Sequence, residues 1–580
     1  MAERSARRLV AVLATAALLA PACATVPTSG PVREGAAVVS GGKDKGSAIR
    51  VVPQPPQEGE DPLAVVEGFL DASASFDDGH RYARLHLDPE TSADWDPDEH
   101  VVVYEASEQD LHAEEGNTVV LEASRLATID AQGQYTPAPP GATVQAEFRL
   151  RRVAGEWRIA DLPQGMFLTR NDMTRSFRSV NLYYPSPGQQ VLVPDPVYLP
   201  LRRPGLPTVA TQSLLGGPTD WLAPAVANAI PRGTRLAGTH VDVDSQGVAT
   251  VDLTSLARRA SDEGRQALSA QVVWTLRQFP EVTGVRIAAQ GSALDVPEAG
   301  AVQSRDAWSS WRPDALPADA VGYFVQRGRL VALRKEGPSP LPASQSDRAT
   351  PLREPAVSPD LTSLAALSVS ADRLRRGPLG PREQMSTVLS GTRLTRPTWD
   401  LLGAVWTVEN PPGTQRPQVW SVPPSGPPRR VEAAGLGDAE VLAFRIARDG
   451  TRAAVVTVSG GVHRLLVGRI VRGSRLRLEA LRDVTGPLVE MRDVSWASGD
   501  VLAVVGRDAQ SGMQAWAVDV DGSHFDSRGS VPGMESIAAA PAGPSTRPLL
   551  VGTEDGQVYQ SRSRGTWQRL DVGTDPLYPG

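Results

Sequence analysis

The spacing of hydrophobic residues changes from helical to alternating between residues 60 and 170. A helical period comes first, with Pro62 near its start. The apolar face of this helix consists of Leu63, Val66, Phe69 and Leu70. Apolar and polar residues then alternate strictly, which is typical of an antiparallel strand with one buried face. The apolar positions of that strand are Val144, Ala146, Phe148 and Leu150. The segment therefore predicts an α+β domain.

A turn at Ala154 and Gly155 leads from this strand to a partner strand that carries Trp157 and Ile159. The order of helix and strands resembles the nuclear-transport-factor-2 (NTF2)-like fold, in which a curved sheet wraps a helix. The resemblance implies an NTF2-like α+β domain at residues 60–170, followed by a connector at residues 171–208.

A second α+β pattern occupies residues 209–297. A short helix ends at Gly216, a hairpin turns within "DSQG", and a second helix is capped by Ser261. The predicted buried face of the second helix consists of Leu268, Val272, Leu276 and Phe279. The phrases "LLGGPTDWL" and "TRLAGTHVDVDSQGVATVDL" resemble the GerMN domain, a small module of spore-germination and cell-envelope proteins. A GerMN-like domain is thus expected here, and residues 298–317 are expected to be a linker.

From residue 318 to 580, helical periodicity disappears and short apolar strands alternate with polar turns. Aspartates in similar turn phrases recur every 40 to 51 residues, at Asp360, Asp400, Asp449 and Asp500. A β-propeller blade takes about 45 residues, so the segment predicts an all-β propeller with five or six blades. A β-sandwich with an additional small domain would leave the recurrence unexplained.

The amino-terminal residues form a secretory signal. Three arginines, at positions 4, 7 and 8, precede an uncharged apolar run that ends at Ala22. This run is shorter than the ~20 residues that span a bilayer as a helix, so residues 1–22 predict a signal peptide. The Pro-, Gly- and Ser-rich segment at residues 23–59 predicts a flexible tether.

Cys23 is the only cysteine of the chain and directly follows the apolar run. Ala22 before it, with leucines a few positions earlier, resembles the bacterial lipobox. The resemblance implies cleavage between Ala22 and Cys23, a thioether-linked diacylglycerol on the sulfur of Cys23, and an acyl chain such as palmitate on its amino group. Since Ala20 and Pro21 depart from the lipobox pattern, an ordinary signal peptide cut after Ala22, with a free thiol at Cys23, is the alternative.

Composition restricts the remaining functions. The net charge of −7 gives no electrostatic basis for binding nucleic acid. No further long apolar run follows the signal, so the rest of the chain is expected outside the membrane.

No catalytic, cofactor or metal motif stands out. The seven histidines are scattered, and no nucleophile elbow, P-loop or dinucleotide fingerprint is present. Acidic residues at positions 94, 96, 98 and 105 match an EF-hand loop, but Glu99 stands where that loop needs glycine. An acidic loop is therefore the better interpretation, and we expect no catalytic residue, no cofactor and no metal site.

Three tryptophans could belong either to a partner interface or to internal packing, namely Trp221, Trp308 and Trp311.

The order of these parts is similar to that of the LpqB family, actinobacterial lipoproteins associated with the MtrAB two-component system. The phrases that carry the resemblance are "CATVPTSGPV", "GEWRIADLPQGMFLT", "VNLYYPSPGQQVLVPDPVYLP" and "VGYFVQRGRLVAL". The resemblance implies a non-enzymatic lipoprotein, anchored on the outer face of the cell membrane, that contacts the extracellular domain of the sensor kinase MtrB. It would modulate phosphorylation of MtrA, and with it cell division and envelope homeostasis. The alternative is a propeller that binds or hydrolyses cell-wall glycan or peptide.

Overall fold

The computed structural model describes residues 54–76, 78–188, 191–202, 205–314, 316–341, 351–379, 385–413, 416–541, 547–563 and 565–580. Within these ranges, no helix combines the length and apolar character that crossing a bilayer requires.

The first unit packs helix α1 (Pro62–Ser73) against a seven-stranded sheet. The Asp61 carboxylate caps α1 by accepting the Ala64 N–H at 2.9 Å. Three shorter helices are α2 (Arg81–Arg84), α3 (Pro89–Asp94) and, after the sheet, α4 (Arg170–Ser176). The strands are β1 (His100–Tyr104), β2 (Asp110–Glu114), β3 (Thr118–Asp130), β4 (Tyr135–Pro137), β5 (Thr143–Val153), β6 (Glu156–Asp161) and β7 (Met166–Thr169). Their order is β6-β5-β3-β1-β7, and β2 and β4 also pair with β3.

The alternation predicted for β5 is present in the structure. Its four apolar positions are buried and the polar residues between them are exposed. The turn into β6 has positive φ at both Ala154 and Gly155, as a tight hairpin requires.

A two-stranded hairpin of β8 (Phe177–Pro185) and β9 (Leu192–Pro200) follows the first unit. Its register runs from Phe177 opposite Pro200 to Pro185 opposite Leu192. Alternate side chains of both strands enter the hydrophobic core of the second unit. The segment predicted only as a connector is thus mostly a hairpin that is part of a folded core.

The second unit contains helices α5 (Leu206–Gly216) and α6 (Asp262–Leu276) and a small sheet. Its strands are β10 (Asp242–Val243), β11 (Val248–Leu253), β12 (Gly284–Ala289), β13 (Ser292–Ala293) and β14 (Gln303–Ser304). β11 runs parallel to β12, and the other pairs are antiparallel. Ser261 caps α6 through the Gly264 N–H at 3.1 Å, and all four predicted apolar positions are buried.

Six four-stranded sheets form the β-propeller. Blade one contains β15 (Tyr323–Gln326), β16 (Arg329–Arg334) and β17 (Gly337–Pro340); blade two β18 (Arg353–Val357), β19 (Ser363–Leu367), β20 (Arg373–Pro378) and β21 (Ser386–Ser390); blade three β22 (Thr398–Trp399), β23 (Val405–Glu409), β24 (Gln418–Val422) and β25 (Arg429–Val431). Blade four contains β26 (Glu440–Ile446), β27 (Arg452–Ser459), β28 (Val462–Arg472) and β29 (Leu476–Asp483); blade five β30 (Leu488–Trp496), β31 (Val501–Asp508), β32 (Gln514–Asp519) and β33 (Phe525–Ser527); blade six β34 (Met534–Ala538), β35 (Leu550–Thr553), β36 (Gln557–Ser563) and β37 (Thr566–Val572).

The last strand, β38 (Thr574–Leu577), completes blade one by pairing with β15, with Leu577 opposite Tyr323. It contacts the innermost strands of blades two and six, so the ring is closed. The fold class predicted from the sequence is confirmed: two α+β domains and a C-terminal β-propeller, which has six blades.

The propeller has two faces, and every blade has loops on both of them. Loops that join the first strand to the second, and the third to the fourth, lie on what we call the covered face, because the hairpin β8-β9 packs there. The remaining loops lie on the opposite, open face. The recurring aspartates occupy the loop between the first and second strands of blades two to five. Three of them, Asp360, Asp400 and Asp449, accept backbone N–H groups of their own loop, at Thr362, Leu402, Ala404 and Thr451.

Candidate functional site

The predicted lipidation residue Cys23 and the cleavage-site residue Ala22 lie outside the described residues. Cleavage and lipidation therefore stay predictions. The surfaces of the propeller that could serve binding are its central channel and its two faces.

The centre of the propeller is nearly filled. Its inner strands enclose a cavity of about 40 Å³, which is small beside the roughly 300 Å³ or more of ordinary ligand pockets. Arg445 reaches the Asp493 carboxylate at 2.8 Å, and Arg396 lies 3.8 Å from the same carboxylate. Arg448 donates to the carbonyls of Trp496 and Pro579, each at 3.2 Å. The cavity that these arginines line is therefore too small for a glycan or peptide.

Burial lowers the pKa of Arg448 to about 10. The side chain is still protonated at neutral pH, so the buried guanidinium holds the inner strands together as a cation.

On the covered face, two polar contacts attach the hairpin to the propeller. The Asn181 amide Nδ2 donates to the Asp500 carboxylate at 2.6 Å. Arg452 pairs with Asp449, each side chain 1% exposed, and its Nη1 donates to the Pro194 carbonyl at 3.3 Å. Sequence reasoning did not single out Arg452 or Asn181. The phrase "RDGTR" marks the turn that contains Asp449, but nothing in it indicates that Arg452 is buried.

Asp195 of β9 joins the hairpin to the second unit. Its carboxylate accepts the Thr219 backbone N–H at 2.8 Å and the Thr219 hydroxyl at 3.0 Å. Burial raises the pKa of Asp195 to about 6, against the opposing effect of these bonds and of nearby arginines.

A further carboxylate with a raised pKa is that of Asp519 in blade five, on the covered face where the hairpin packs. Burial, together with the neighbouring Asp521 and Asp500, raises the pKa of Asp519 to about 7. Burial also raises the pKa of Asp521. The hairpin and the part of blade five near it therefore contain several carboxylates whose negative charge is unfavourable in the folded state.

Trp221 makes a contact between domains of this chain. Its indole Nε1 donates to the Ala480 carbonyl of β29 at 2.7 Å, and the Arg482 guanidinium lies 4.4 Å from its ring. Trp308 and Trp311 pack against each other inside the second unit, with ring centroids 6.4 Å apart. All three tryptophans thus serve internal packing.

The open face has exposed apolar residues and exposed ion pairs. Valines there, at positions 369, 462, 489 and 572, are between 44% and 60% exposed. Val462 and Val489 lie on neighbouring blades that are joined by the His463 imidazole, whose Nδ1 lies 3.0 Å from the Met491 carbonyl oxygen. Charged pairs surround them, including Glu490 with Arg507 at 2.8 Å. We call the residues around Val462 and Val489 the valine patch.

The residues that match an EF-hand in sequence are not arranged as a metal site. The Asp96 side chain accepts the Asp98 N–H, Asp98 lies 3.3 Å from Arg202, and Glu105 lies 3.4 Å from Arg170. In the described part of the chain, no three His, Cys, Asp or Glu residues form a group able to hold a metal ion.

Three family models match the chain. "Lipoprotein LpqB, N-terminal domain" matches residues 55–174, "Sporulation and spore germination" residues 181–295, and "Lipoprotein LpqB beta-propeller domain" residues 328–579.

Curated relatives match along the full length. "Lipoprotein LpqB" of Thermobifida fusca is 35% identical and covers 99% of this chain and 99% of its own. "Lipoprotein LpqB" of Streptomyces coelicolor is 32% identical and covers 100% of this chain and 98% of its own. Among solved structures, TolB from Acinetobacter baumannii is 15% identical, with a TM-score of 0.35, over 56% of this chain and 86% of that one. At that TM-score the likeness supports no functional comparison.

Proposed function

This chain belongs to the LpqB lipoprotein family, and from that premise we propose that it is a membrane-anchored accessory regulator of a two-component system. It contacts the extracytoplasmic part of the sensor kinase MtrB and modulates the phosphorylation of MtrA, which affects cell division and envelope homeostasis. Cys23 carries the lipid that holds the protein on the outer face of the membrane. The role is one of binding, without a catalytic step.

The observation that supports this proposal best is the difference between the two faces of the propeller. The covered face is engaged by the hairpin, whereas the open face combines exposed valines with surrounding charged pairs. Apolar residues inside a polar rim are the usual arrangement of a protein-binding surface. We propose that the valine patch contacts the kinase.

The alternative role in binding or cleaving wall glycan or peptide receives no support from the channel. The cavity of about 40 Å³ between the inner strands, where Arg448 bonds to the Pro579 carbonyl, is too small for either ligand.

The test is a pull-down of the extracytoplasmic domain of MtrB with the lipidated protein. We expect Val462→Asp combined with Val489→Asp to reduce recovery about tenfold or more, because each change places a charge in an apolar contact. The control combines Leu85→Asp with Val302→Asp, which are similarly exposed outside the propeller. Equal recovery by both double variants would exclude the valine patch as the contact surface.

A second experiment tests the regulatory part. Deleting the gene should change the level of phosphorylated MtrA, and a copy that encodes Cys23→Ser should fail to restore it, since the protein would leave the membrane. Unchanged MtrA phosphorylation in the deletion strain would contradict the proposal.

A further inference from the structure

A groove of about 470 Å³ lies between blades three and four on the covered face. Its volume falls within the roughly 300 to 1,000 Å³ that small-molecule sites occupy. It is formed by the first and third loops of blade three, strand β25, and the third loop of blade four. The groove is separate from the valine patch, so a ligand-binding role of the groove is independent of the proposed function.

The charged residues of the groove are mostly basic. Four arginines and two carboxylates line it, which leaves an excess of two positive charges in a protein whose net charge is −7. The carboxylates are Asp400 and Glu432, and each has an arginine partner at 2.8 Å, namely Arg472 and Arg475. The excess charge therefore resides on the remaining two arginines, Arg429 and Arg430.

Arg472 is fixed in position at the back of the groove. Asp400 is completely buried, and its two oxygens already accept the N–H groups of Leu402 and Ala404 and the indole N–H of Trp406. Arg472 bonds to this carboxylate at 2.8 Å and to the Gly450 carbonyl at 3.1 Å, both through Nη2. Within the described chain, Nη1 and Nε have no hydrogen-bond partner, and the side chain is 25% exposed. The guanidinium is thus preorganised, with donors left for a ligand.

Arg429 and Arg430 are exposed on β25 at the edge of the groove. Neither makes an ion pair with any described residue. An arginine fork binds phosphate or carboxylate oxygens through two parallel hydrogen bonds, and such charge-assisted bonds are among the stronger ones in proteins. Arg429 and Arg430, which have no ion-pair partner among the described residues, form together with the fixed Arg472 a site for an anion with several oxygens.

One part of the groove wall is apolar. Leu402 is 45% exposed there, and Pro423 and Pro424 lie next to it. The carbonyls of both prolines accept hydrogen bonds from Arg376, at 2.8 and 2.6 Å, so this wall is held in place. A ligand that fits both walls has an anionic group at one end and a less polar body at the other.

We propose that the groove binds a phosphate monoester or diester of the size of a sugar phosphate, with the phosphate on Arg429, Arg430 and Arg472 and the ring or glycerol body against Leu402. The excess of two positive charges matches a phosphate monoester. A soluble sugar phosphate and an anionic lipid headgroup share this chemistry, and the experiment distinguishes the two sources.

The experiment measures binding of glucose 1-phosphate and inorganic phosphate by calorimetry, and binding to vesicles of phosphatidylglycerol or phosphatidylcholine by sedimentation. All proteins carry Cys23→Ser, so that no lipid on that residue brings them to the vesicles. The test variant combines Arg429→Gln with Arg430→Gln. The control combines Arg232→Gln with Arg569→Gln, two exposed arginines, the second on the equivalent outer strand of blade six. Both variants lose the same charge.

We expect the test variant to bind its phosphate ligand at least about tenfold more weakly than the parent does. The control should bind the ligand as tightly as the parent. Saturable binding of glucose 1-phosphate identifies a soluble ligand. Binding to phosphatidylglycerol but not phosphatidylcholine vesicles, lost in the test variant, identifies a lipid headgroup. The proposal is overturned if the parent shows no saturable binding in the millimolar range and no vesicle preference, or if the test variant binds as well as the control.

A third variant, Leu402→Ser, tests the apolar wall. It should weaken binding of glucose 1-phosphate and leave inorganic phosphate unaffected, because only the ester has a body that contacts Leu402. Unchanged thermal unfolding of each variant, expected for exposed positions, shows that the fold is intact.

Discussion

The covered and open faces of the propeller are built from the same kind of short loop, yet they differ in how their charged residues are used. On the covered face, Arg452 and Asp449 form an ion pair that is almost completely buried. Near the open face of the same blade, Arg464 and Asp483 form a pair with side chains 59% and 41% exposed. Both pairs join an arginine to an aspartate, so burial under a neighbouring domain, rather than residue type, decides whether an ion pair contributes strongly to stability.

The carboxylates of the two faces differ in the same way. Burial raises the pKa of Asp519 on the covered face, as it raises that of Asp195 in the hairpin itself. Hydrogen bonds from serine hydroxyls lower the pKa of Asp372 and Asp508, which lie in open-face loops. Burial beside the hairpin thus makes charge costly at Asp519, while local hydrogen bonds favour it in the open-face loops and also at Asp360, in the covered-face loop of blade two.

The largest effect is expected from breaking the buried pair. Arg452→Ala leaves Asp449 buried without its partner and removes the bond to the Pro194 carbonyl, so we expect the free energy of unfolding to fall by about 3–5 kcal/mol. Arg464→Ala, in the same blade, should cost about 1 kcal/mol or less. Chemical denaturation measures both. Equal losses would remove the distinction between the faces.

A smaller effect is expected from the domain contact at Trp221. Trp221→Ala removes the bond to the Ala480 carbonyl and the stacking on Arg482, and should cost about 1–3 kcal/mol. It should also make the junction of the second unit with blade four more sensitive to proteolysis. Trp157→Ala is the control, because Trp157 stacks on Arg152 at 4.9 Å within a single hairpin. Cleavage that increases equally in both variants would contradict a specific role at the junction.

The pH dependence of stability should reflect the raised pKa of Asp519 on the covered face. The folded-state pKa of Asp519 is about 7, above its ordinary value of 3.8, so the folded protein retains a proton that the unfolded chain releases. The stability that this proton supplies is complete below about pH 4 and is lost as the pH rises through about 7. The melting temperature should therefore fall between about pH 5 and about pH 8, and Asp519→Asn should reduce that fall.

Asp508→Asn provides the contrast on the open face. Since hydrogen bonds lower the pKa of Asp508, the stability that its charged form supplies is present above the ordinary value of 3.8 and is lost as the pH falls. Asp508→Asn should therefore lower stability at neutral pH, flatten the loss of stability on the acid side, and leave the fall between about pH 5 and about pH 8 unchanged. If Asp508→Asn reduced the fall between about pH 5 and about pH 8 as much as Asp519→Asn does, the assignment would be contradicted.

The smallest effect is expected on the open face itself. Val369, 60% exposed, contributes little to the core, and Val369→Ser should change the free energy of unfolding by no more than about 0.5 kcal/mol in a denaturation experiment. A loss above about 1.5 kcal/mol would show that this face is packed against something.

The parts of the fold that follow from local patterns could be predicted from the sequence. The alternation in β5 determines which side chains are buried, and the hydroxyl of Ser261 caps α6. The aspartates recur because blades two to five repeat the same turn. Each of these features depends on residues close together in the chain.

The hairpin β8-β9 and the burial of Arg452 could not be predicted in this way. Pro194 and Pro196 argue against a strand, since proline cannot donate to a ladder, and they are tolerated because this hairpin has only two strands and the prolines need no partner on the outer side. Arg452 looks like an ordinary surface arginine until the hairpin covers it. Both features depend on contacts between segments far apart in sequence.

The pairing of β15 with β38 has a consequence for how the molecule is made. β15 is synthesised before β38. Until β38 is made, five blades and part of a sixth form an open ring with unpaired strand edges at both ends. Closing the ring joins the most distant segments of the propeller, which is slow because chain entropy opposes it until the final contacts form. The newly made chain is therefore most exposed to proteases and to aggregation in the interval before β38 pairs with β15.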